Sequence, residues 1–418
     1  MVEKFLAGSA ALFGDPITIA IFVFGVIGGM LFGAIPGVSM LTLAAILLPF
    51  TADLDPAQGV MLFAVIYCTG TYGGAITAIL FNIPGAPENA PTAFDGYPMT
   101  RQGKSGKAVG AAVLCSAIGG VASALVMMAA TEPLANWAIR NIGPPEIFAL
   151  VFFGLAVASS VGGRTIWKGW MSVLLGLLIA TIGQDPVGGI NRYNFGFTDL
   201  AAGIAFVPAI LGFFAVSEIF VQAEKKATGQ YDAPKVGMSF PSVLELWAHK
   251  FAVVRSILVG FFCGILPGIG ATLAAFMGYG EAVRWSKNKE EFGKGKLEGV
   301  ISSETANNAA TGAAMIPLLA LGLPGGALTA MMVAVFQMHD LEPGPLVFYN
   351  SPELIWIVFA AMFYANLSIL FIGLIETKTI LYLLKIPFQF LAPLILLLAT
   401  IGAYISRGLV LDVMVMFG

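Results

Sequence analysis

Apolar residues along the chain fall into long runs separated by short polar loops. A hydrocarbon core about 30 Å thick needs roughly 20 apolar residues in a helix. Seven runs approach or reach that length: Ala57 to Phe81, Gly106 to Ala130, Pro145 to Val161, Trp167 to Gly183, Asp199 to Val221, Pro352 to Ile375 and Phe388 to Ile405. Each predicts a transmembrane helix. Upstream, Phe5 to Phe13 is apolar and follows Lys4, but Glu3 sits where a signal peptide carries its basic region and no small-residue cleavage site follows. That segment predicts a short interfacial helix, as does the mixed pattern of Leu244 to Val254. Lys225 to Pro241, punctuated by Gly229, Pro234 and Pro241, reads as a linker, and Glu281 to Glu298 as a solvated cytoplasmic loop.

Lys and Arg mark the cytoplasmic side of a membrane protein. Arg101, Lys104 and Lys107 precede one crossing, and only Arg140 follows it. Arg164 and Lys168 occupy the next loop, Arg192 alone the one after, and Lys225, Lys226, Lys235, Lys250 and Arg255 the next. This alternation predicts five successive crossings. Arg284, Lys287, Lys289, Lys294 and Lys296 then form another basic loop, although only the apolar stretch Ser256 to Trp285 lies in between. Two adjacent cytoplasmic loops require an even number of crossings or none. Pro267-Gly268 divides the stretch into pieces too short to span, so it predicts a re-entrant hairpin. Non-helical backbone at that depth is tolerated only where it is buried in protein or lines a polar cavity.

The break recurs. Gly33-Ala34-Ile35-Pro36-Gly37 returns as Gly264-Ile265-Leu266-Pro267-Gly268, and Thr42-Leu43-Ala44-Ala45 as Thr272-Leu273-Ala274-Ala275. Farther on, Ile83-Pro84-Gly85 returns as Leu323-Pro324-Gly325. Two matching pairs in the same order predict a duplication, and five crossings between the hairpins would make them open to opposite sides. The expected fold is an all-α polytopic membrane protein with two inverted-topology repeats, re-entrant hairpins and Pro-Gly-broken helices. Its expected divisions are an N-terminal interfacial segment 1–15, a first half 16–222, a linker 223–254 and a second half 255–418. Transporters built this way hold substrate near the midplane, with half-helix N-termini aimed at anionic groups.

Composition agrees and narrows the choice. The 418 residues are 58% hydrophobic and 11% charged, whereas a soluble domain carries roughly 25% charged residues. Fifty Gly and 23 Pro, scattered through the apolar runs, are too many for straight helices. A net charge of -3 without a basic cluster excludes nucleic acid as a partner. Cys68, Cys115 and Cys263 lie in apolar segments without CxxC spacing, and His249 and His339 are far apart, so neither a thiolate site nor a His-based dyad assembles.

The polar residues concentrate at the breaks. The first half has Thr69-Gly70-Thr71-Tyr72-Gly73-Gly74 and then Asn82 to Pro98, and the second has Glu304-Thr305-Ala306-Asn307-Asn308 leading to Gly322 to Gly326. These residues resemble the large membrane subunit of the tripartite tricarboxylate transporters. Gly183-Gln184-Asp185-Pro186, Asn191 to Gly196 and Glu342-Pro343-Gly344-Pro345 extend the likeness from about Gly25 to Asp412. The resemblance implies a multi-pass bacterial inner-membrane permease working with a small four-helix membrane subunit and a periplasmic solute-binding protein. It implies citrate-like tricarboxylates or other carboxylates as substrates, taken up with a Na+ or H+ gradient, and further apolar segments beyond the position of Asp412.

Residue chemistry points the same way. A carboxylate anion must exchange its hydration for donors, and backbone N–H groups freed at Pro-Gly breaks supply them without desolvating an Arg. The candidate substrate-binding positions are Gly37, Ser39, Thr42, Asn82, Pro84, Gly85, Asn89, Gly268, Thr272, Asn307, Asn308, Pro324 and Gly325. Carbonyls at the same turns suit Na+ as a coupling ion. Asp95 and Glu304 are alternative coupling carboxylates, since an acidic group at membrane depth is costly. In the plainer reading Asp95 caps a turn and Glu304 begins a helix capped by Ser302 or Ser303. Three competing functions are an intramembrane enzyme on a lipid-linked substrate, using Asp95, Glu304 and the Asn residues, a stand-alone carboxylate symporter, and a channel. The channel predicts continuous polar stripes that the sequence lacks.

Overall fold

Two long helices without a lipid-facing side form the axis of the fold. The computed structural model describes residues 1–35, 38–161, 166–185, 188–224, 241–266, 268, 270–383 and 388–418. Pro36, Gly37, Pro267 and residues 225–240 of the expected linker lie outside them. In chain order the helices are α1 (Val2–Gly14), α2 (Pro16–Ala34), α3 (Met40–Leu47), α4 (Pro56–Phe81), α5 (Ala90–Arg101), α6 (Ser105–Asn141), α7 (Pro144–Val161) and α8 (Ile166–Ala180). A two-residue hairpin follows, β1 (Gly183–Gln184) pairing antiparallel with β2 (Asn191–Arg192). Then come α9 (Phe206–Ile210), α10 (Ser217–Glu224), α11 (Val243–Ala248), α12 (Lys250–Ile265), α13 (Gly270–Trp285), α14 (Leu297–Leu321) and α15 (Ala327–Met338). The last are α16 (Val347–Asn350), α17 (Pro352–Leu383), α18 (Phe388–Arg407) and α19 (Val410–Phe417).

Among the described residues six helices are long and apolar enough to cross a bilayer: Pro16–Ala34, Pro56–Phe81, Ser105–Asn141, Phe206–Glu224, Pro352–Gly373 and Phe390–Arg407. Five coincide with expected crossings. The sixth, α2, is one arm of the first break, lengthened because its apolar run begins at Pro16 behind an Asp15 cap. The expected crossings at Pro145 to Val161 and Trp167 to Gly183 are α7 and α8, and α8, at 15 residues, is only about 22 Å long. It ends early because Gly183 takes φ +117 on entering β1. The expected span from Asp199 opens with a 3-10 helix at Thr198–Ala202 and becomes α-helical only at Phe206, after Gly203 at φ +75, and it contains a π-helical turn at Leu211–Val216. Leu244 to Val254 divides at His249 between α11 and α12. Glu281 to Glu298 is less of a loop than its charge implies, since α13 continues to Trp285.

The axis helices are α4 and α14. Every residue from Gln58 to Leu80 and from Glu298 to Ala320 is buried. They end alike. Asn82 and Gly322 both adopt the left-handed conformation, at φ 59 and φ 74, which Asn tolerates and Gly adopts freely. Asn82 N–H donates to the Ala78 carbonyl and Ile83 N–H to Thr77; Gly322 N–H donates to Leu318 and Leu323 N–H to Pro317. This pair of bonds satisfies carbonyls left free at a helix end.

From there the chain folds back along each helix. Gly85 N–H donates to the Gly74 carbonyl at 3.3 Å, and α5 then returns outward until Thr100 Oγ1 reaches the Ile79 carbonyl at 2.8 Å. A Cβ on Gly325 would lie 2.8 Å from Ala314, and one on Gly322 would lie 2.7 Å from the Pro343 carbonyl, so the second loop dips and returns in the same way. α4 and α14 run in opposite directions. Gln102, just after α5, donates to the Lys294 carbonyl before α14, while Gly59 near the start of α4 faces Val335 and His339 at the end of α15. Basic residues around Arg101 and Lys294 thus share one end of the molecule, as the charge pattern requires of two cytoplasmic loops.

Glycine allows the flanking helices to close on this axis. A Cβ on Gly33 of α2 would lie 2.3 Å from the Gly70 carbonyl of α4, and one on Gly264 of α12 would lie 2.6 Å from the Ala310 carbonyl of α14. Gly29 and Gly260, one turn earlier, make equally close approaches to α4 and α14, the small-xxx-small packing that lets backbones touch in a membrane. The outer helices cross over between halves. Gly119 of α6 packs on the Thr305 carbonyl of α14, and Tyr72 of α4 donates to the Gly373 carbonyl of α17 at 3.2 Å. Gly33→Ala is expected to destabilise the protein by about 1–3 kcal/mol through overpacking. Gly14→Ala, with nothing within 4 Å of the new methyl, should leave the unfolding midpoint in detergent unchanged.

Candidate functional site

The folded-back loop of the first half meets the second half in a buried polar cluster. A 3-10 turn at Pro87–Asn89 places Glu88 and Asn89 beside the middle of α4, and both are buried. Asn89 Nδ2 donates to the Thr71 carbonyl at 2.8 Å, which ties the loop to its own half. Asn307 Nδ2 of α14 donates to the Glu88 carbonyl at 3.3 Å, and Thr272 Oγ1 in the first turn of α13 donates to Glu88 Oε2 at 3.5 Å. Gly270 and Gly326 approach each other beside this contact, and the Tyr67 hydroxyl stands 3.9 Å from where a Gly326 Cβ would be.

Glu304 lies one turn before Asn308 on α14 and is fully buried. It is in the eighth position of the helix, so the reading that made it a helix start is corrected: α14 begins at Leu297, just after the two N–H groups that Asp95 of α5 holds. Thr92 Oγ1 of α5 and Asn307 Nδ2 donate to Glu304 Oε1, and Ser116 Oγ of α6 donates to Oε2 at 2.9 Å. Thr92 Oγ1 is also 2.9 Å from Ser303 Oγ. Asn308 Nδ2 donates to Asn307 Oδ1 at 2.8 Å and to the Glu304 carbonyl at 3.1 Å. The buried Oδ1 atoms of Asn89 and Asn308 have no hydrogen-bond partner. A buried carboxylate held by neutral donors, with open amide oxygens on Asn308 one turn along α14 and on Asn89 three residues before Thr92, is the arrangement that a ligand or ion completes.

Of the sequence-derived candidates, the structure brings Asn89, Thr272, Asn307, Asn308 and Glu304 into this region. Gly85, Gly268, Pro324 and Gly325 form the backbone of three breaks, after α4, between α12 and α13, and after α14, with Gly268 at φ +80. Pro84 lies between the Asn82 cap and Gly85, while Asn82 itself is exposed at the end of α4. Ser39 and Thr42 are engaged in the capping box of α3, and Gly37 is outside the described residues. Asp95 is elsewhere. Its Oδ1 accepts from Gly295 N–H at 2.9 Å and Lys296 N–H at 2.8 Å, and its Oδ2 from Tyr279 O–H at 2.9 Å. It is the cap that α14 lacks locally, so Asp95 and Glu304 belong to separate networks and do not form one catalytic set.

Sequence reasoning missed Glu88, Thr92, Ser116 and Ser303. Glu88 was detectable as an acidic residue in an apolar stretch, the signal that singled out Asp95. The hydroxyls carry no such signal, because Thr and Ser are ordinary residues of membrane helices and their partners lie on other elements. Among the described residues, no three His, Cys, Asp or Glu side chains gather to hold a metal ion.

Comparison with known proteins places this geometry. The family model described as Tripartite tricarboxylate transporter TctA family matches residues 19–418. An uncharacterised 52.8 kDa protein of the TAR-I ttuC' 3' region of Agrobacterium vitis is 37% identical over 396 residues, covering 93% of this chain and 77% of its own. An uncharacterised protein of the TAR-II ttuC' 3' region of the same organism is 40% identical over 145 residues, which is 35% of this chain and 60% of its own. No solved structure matches.

Removing the Asp95 cap leaves the N–H groups of Gly295 and Lys296 without acceptors. Asp95→Ala is expected to lower stability by about 1–2 kcal/mol, and Asp95→Asn, which keeps an acceptor, by less. Unfolding midpoints of the purified variants check both.

Proposed function

The chain belongs to the tripartite tricarboxylate transporter TctA family, and from that premise we propose that it is the permease through which citrate-like tricarboxylates or other carboxylates enter a bacterial cell. It is a multi-pass membrane protein of a transporter family. In this reading it lies in the inner membrane, takes substrate from a periplasmic solute-binding protein, and works with a small four-helix membrane subunit. A Na+ or H+ gradient drives uptake. The two broken-helix units are inverted repeats, and substrate is held near the midplane between their tips as access alternates.

The observation that carries the proposal is the meeting of two oppositely directed broken-helix units at Glu88 and Thr272. Backbone donors released at the breaks suit a carboxylate, and the open oxygens of Asn89 and Asn308 suit a substrate hydroxyl or a cation. Glu304, Asn307 and Asn308 are fully buried, which fits an occluded stage between two open ones. Asp95 serves structure, and Glu304 is the coupling carboxylate.

Two experiments test the proposal. Proteoliposomes holding the complete complex are expected to accumulate citrate only with the binding protein outside and an imposed Na+ or H+ gradient; uptake without a gradient or binding protein contradicts it. The inverted arrangement predicts that single cysteines at Asp53 and Lys294, before α4 and α14, react with impermeant reagent from opposite faces. Labelling from one face would remove the inversion.

A further inference from the structure

The hydroxyls beside Glu304 carry one step more, which rests on the transport reading above. Thr92 Oγ1 lies between Glu304 Oε1 and Ser303 Oγ. Ser303 Oγ in turn lies 2.9 Å from the Gly299 carbonyl and 3.3 Å from that of Val300. Each hydroxyl has one hydrogen and can also accept, so the chain closes in two ways. With Glu304 ionised, Ser303 donates to Thr92 and Thr92 donates to Glu304. With Glu304 protonated, the carboxyl hydrogen points at Thr92, Thr92 donates to Ser303, and Ser303 donates to the Gly299 carbonyl. Neither state strands a hydroxyl hydrogen of the chain. Ser116 and Asn307 hold the carboxyl in place in both.

We propose that Glu304 carries the coupling proton, and that Thr92 and Ser303 are positioning residues whose hydroxyls reverse as the proton binds and leaves. One O–H bond forms on a carboxylate oxygen when the proton arrives from water on one side, and the same bond breaks when it departs to the other. Everything else is hydroxyl rotation. Thr92, Ser116 and Asn307 all turn hydrogens toward this carboxylate, so it can take a proton by hydroxyl rotation, whereas Na+ would need its neighbours turned to present lone pairs. The other ionisable groups on the surrounding elements leave Glu304 without a paired cation. Glu88 on the loop meets Thr272, Asp95 on α5 meets Tyr279 of α13, and Arg255 of α12 sits over Trp285. Cys115 of α6 and Tyr67 and Cys68 of α4 are buried and neutral in the thiol and phenol forms.

The test uses the complete complex in proteoliposomes with citrate as the probe, measuring accumulation driven by a pH gradient and, separately, citrate counterflow, which needs no net proton movement. Glu304→Gln is expected to abolish gradient-driven accumulation and retain counterflow. Ser303→Ala takes a donor from Thr92 in the ionised chain but leaves the Thr92 hydrogen without an acceptor only in the protonated one, so the pH midpoint of uptake should move toward acid by about one unit. Thr92→Val breaks both chains, and Thr92→Ser restores them. Infrared titration of the purified chain should show a protonated-carboxyl band that Glu304→Gln removes. Gradient-driven accumulation in Glu304→Gln, loss of its counterflow while it elutes as wild type, or an alkaline shift in Ser303→Ala each overturns the inference. Wild-type complex without counterflow instead overturns the transport reading, and the infrared band tells the two failures apart.

Discussion

A backbone that leaves its helix inside a bilayer must find partners for every freed N–H and C=O within the protein, because the lipid offers none. That constraint organises the molecule. At the first break the freed groups are met by Ala78, Thr77 and Gly74 on α4 itself, and at the second by Leu318 and Pro317 on α14. Asn89 and Asn307 complete the account by donating to carbonyls of Thr71 and Glu88. A helix that serves as such a template cannot also face lipid, which explains why α4 and α14 are buried along their lengths.

Burying two such helices in a chain of this size requires close packing around both. Glycines meet that requirement at the α2–α4 and α12–α14 contacts, and the halves then exchange outer helices, α6 covering α14 and α17 covering α4. The opposed direction of the two units brings the basic loops around Arg101 and Lys294 to one end. It also brings the two tips to the same depth, where Glu88, Thr272, Asn307 and Glu304 meet. Stability and the candidate site therefore arise from one arrangement.

Much of this is legible in the sequence. Long apolar runs and Pro-Gly pairs foretell five of the six long spans and the breaks at Pro84-Gly85 and Pro324-Gly325, and polar residues near the breaks include Asn89, Thr272, Asn307, Asn308 and Glu304. Hydropathy misjudges lengths where a single backbone choice ends a helix, as at Gly183 and Gly203. It also cannot tell a functional acid from a structural one. Asp95 and Glu304 look alike in sequence, and only the fold reveals that backbone N–H groups of a distant helix start occupy one, while side-chain hydroxyls surround the other. Thr92, Ser116 and Ser303 stay hidden because their roles come from partners far away in the chain.

The central claim is that the two tips touch at the core and must separate for transport. The most direct measurement is a cross-link, made with a short bis-methanethiosulfonate reagent that spans the length of the glutamate side chain, between cysteines placed at Glu88 and Thr272, whose side-chain oxygens lie 3.5 Å apart, in a protein whose native Cys68, Cys115 and Cys263 are buried and free. The account predicts that this reducible cross-link forms, halts citrate counterflow, and releases it again on reduction. Failure of the pair to cross-link, or undiminished counterflow with the cross-link in place, would contradict it.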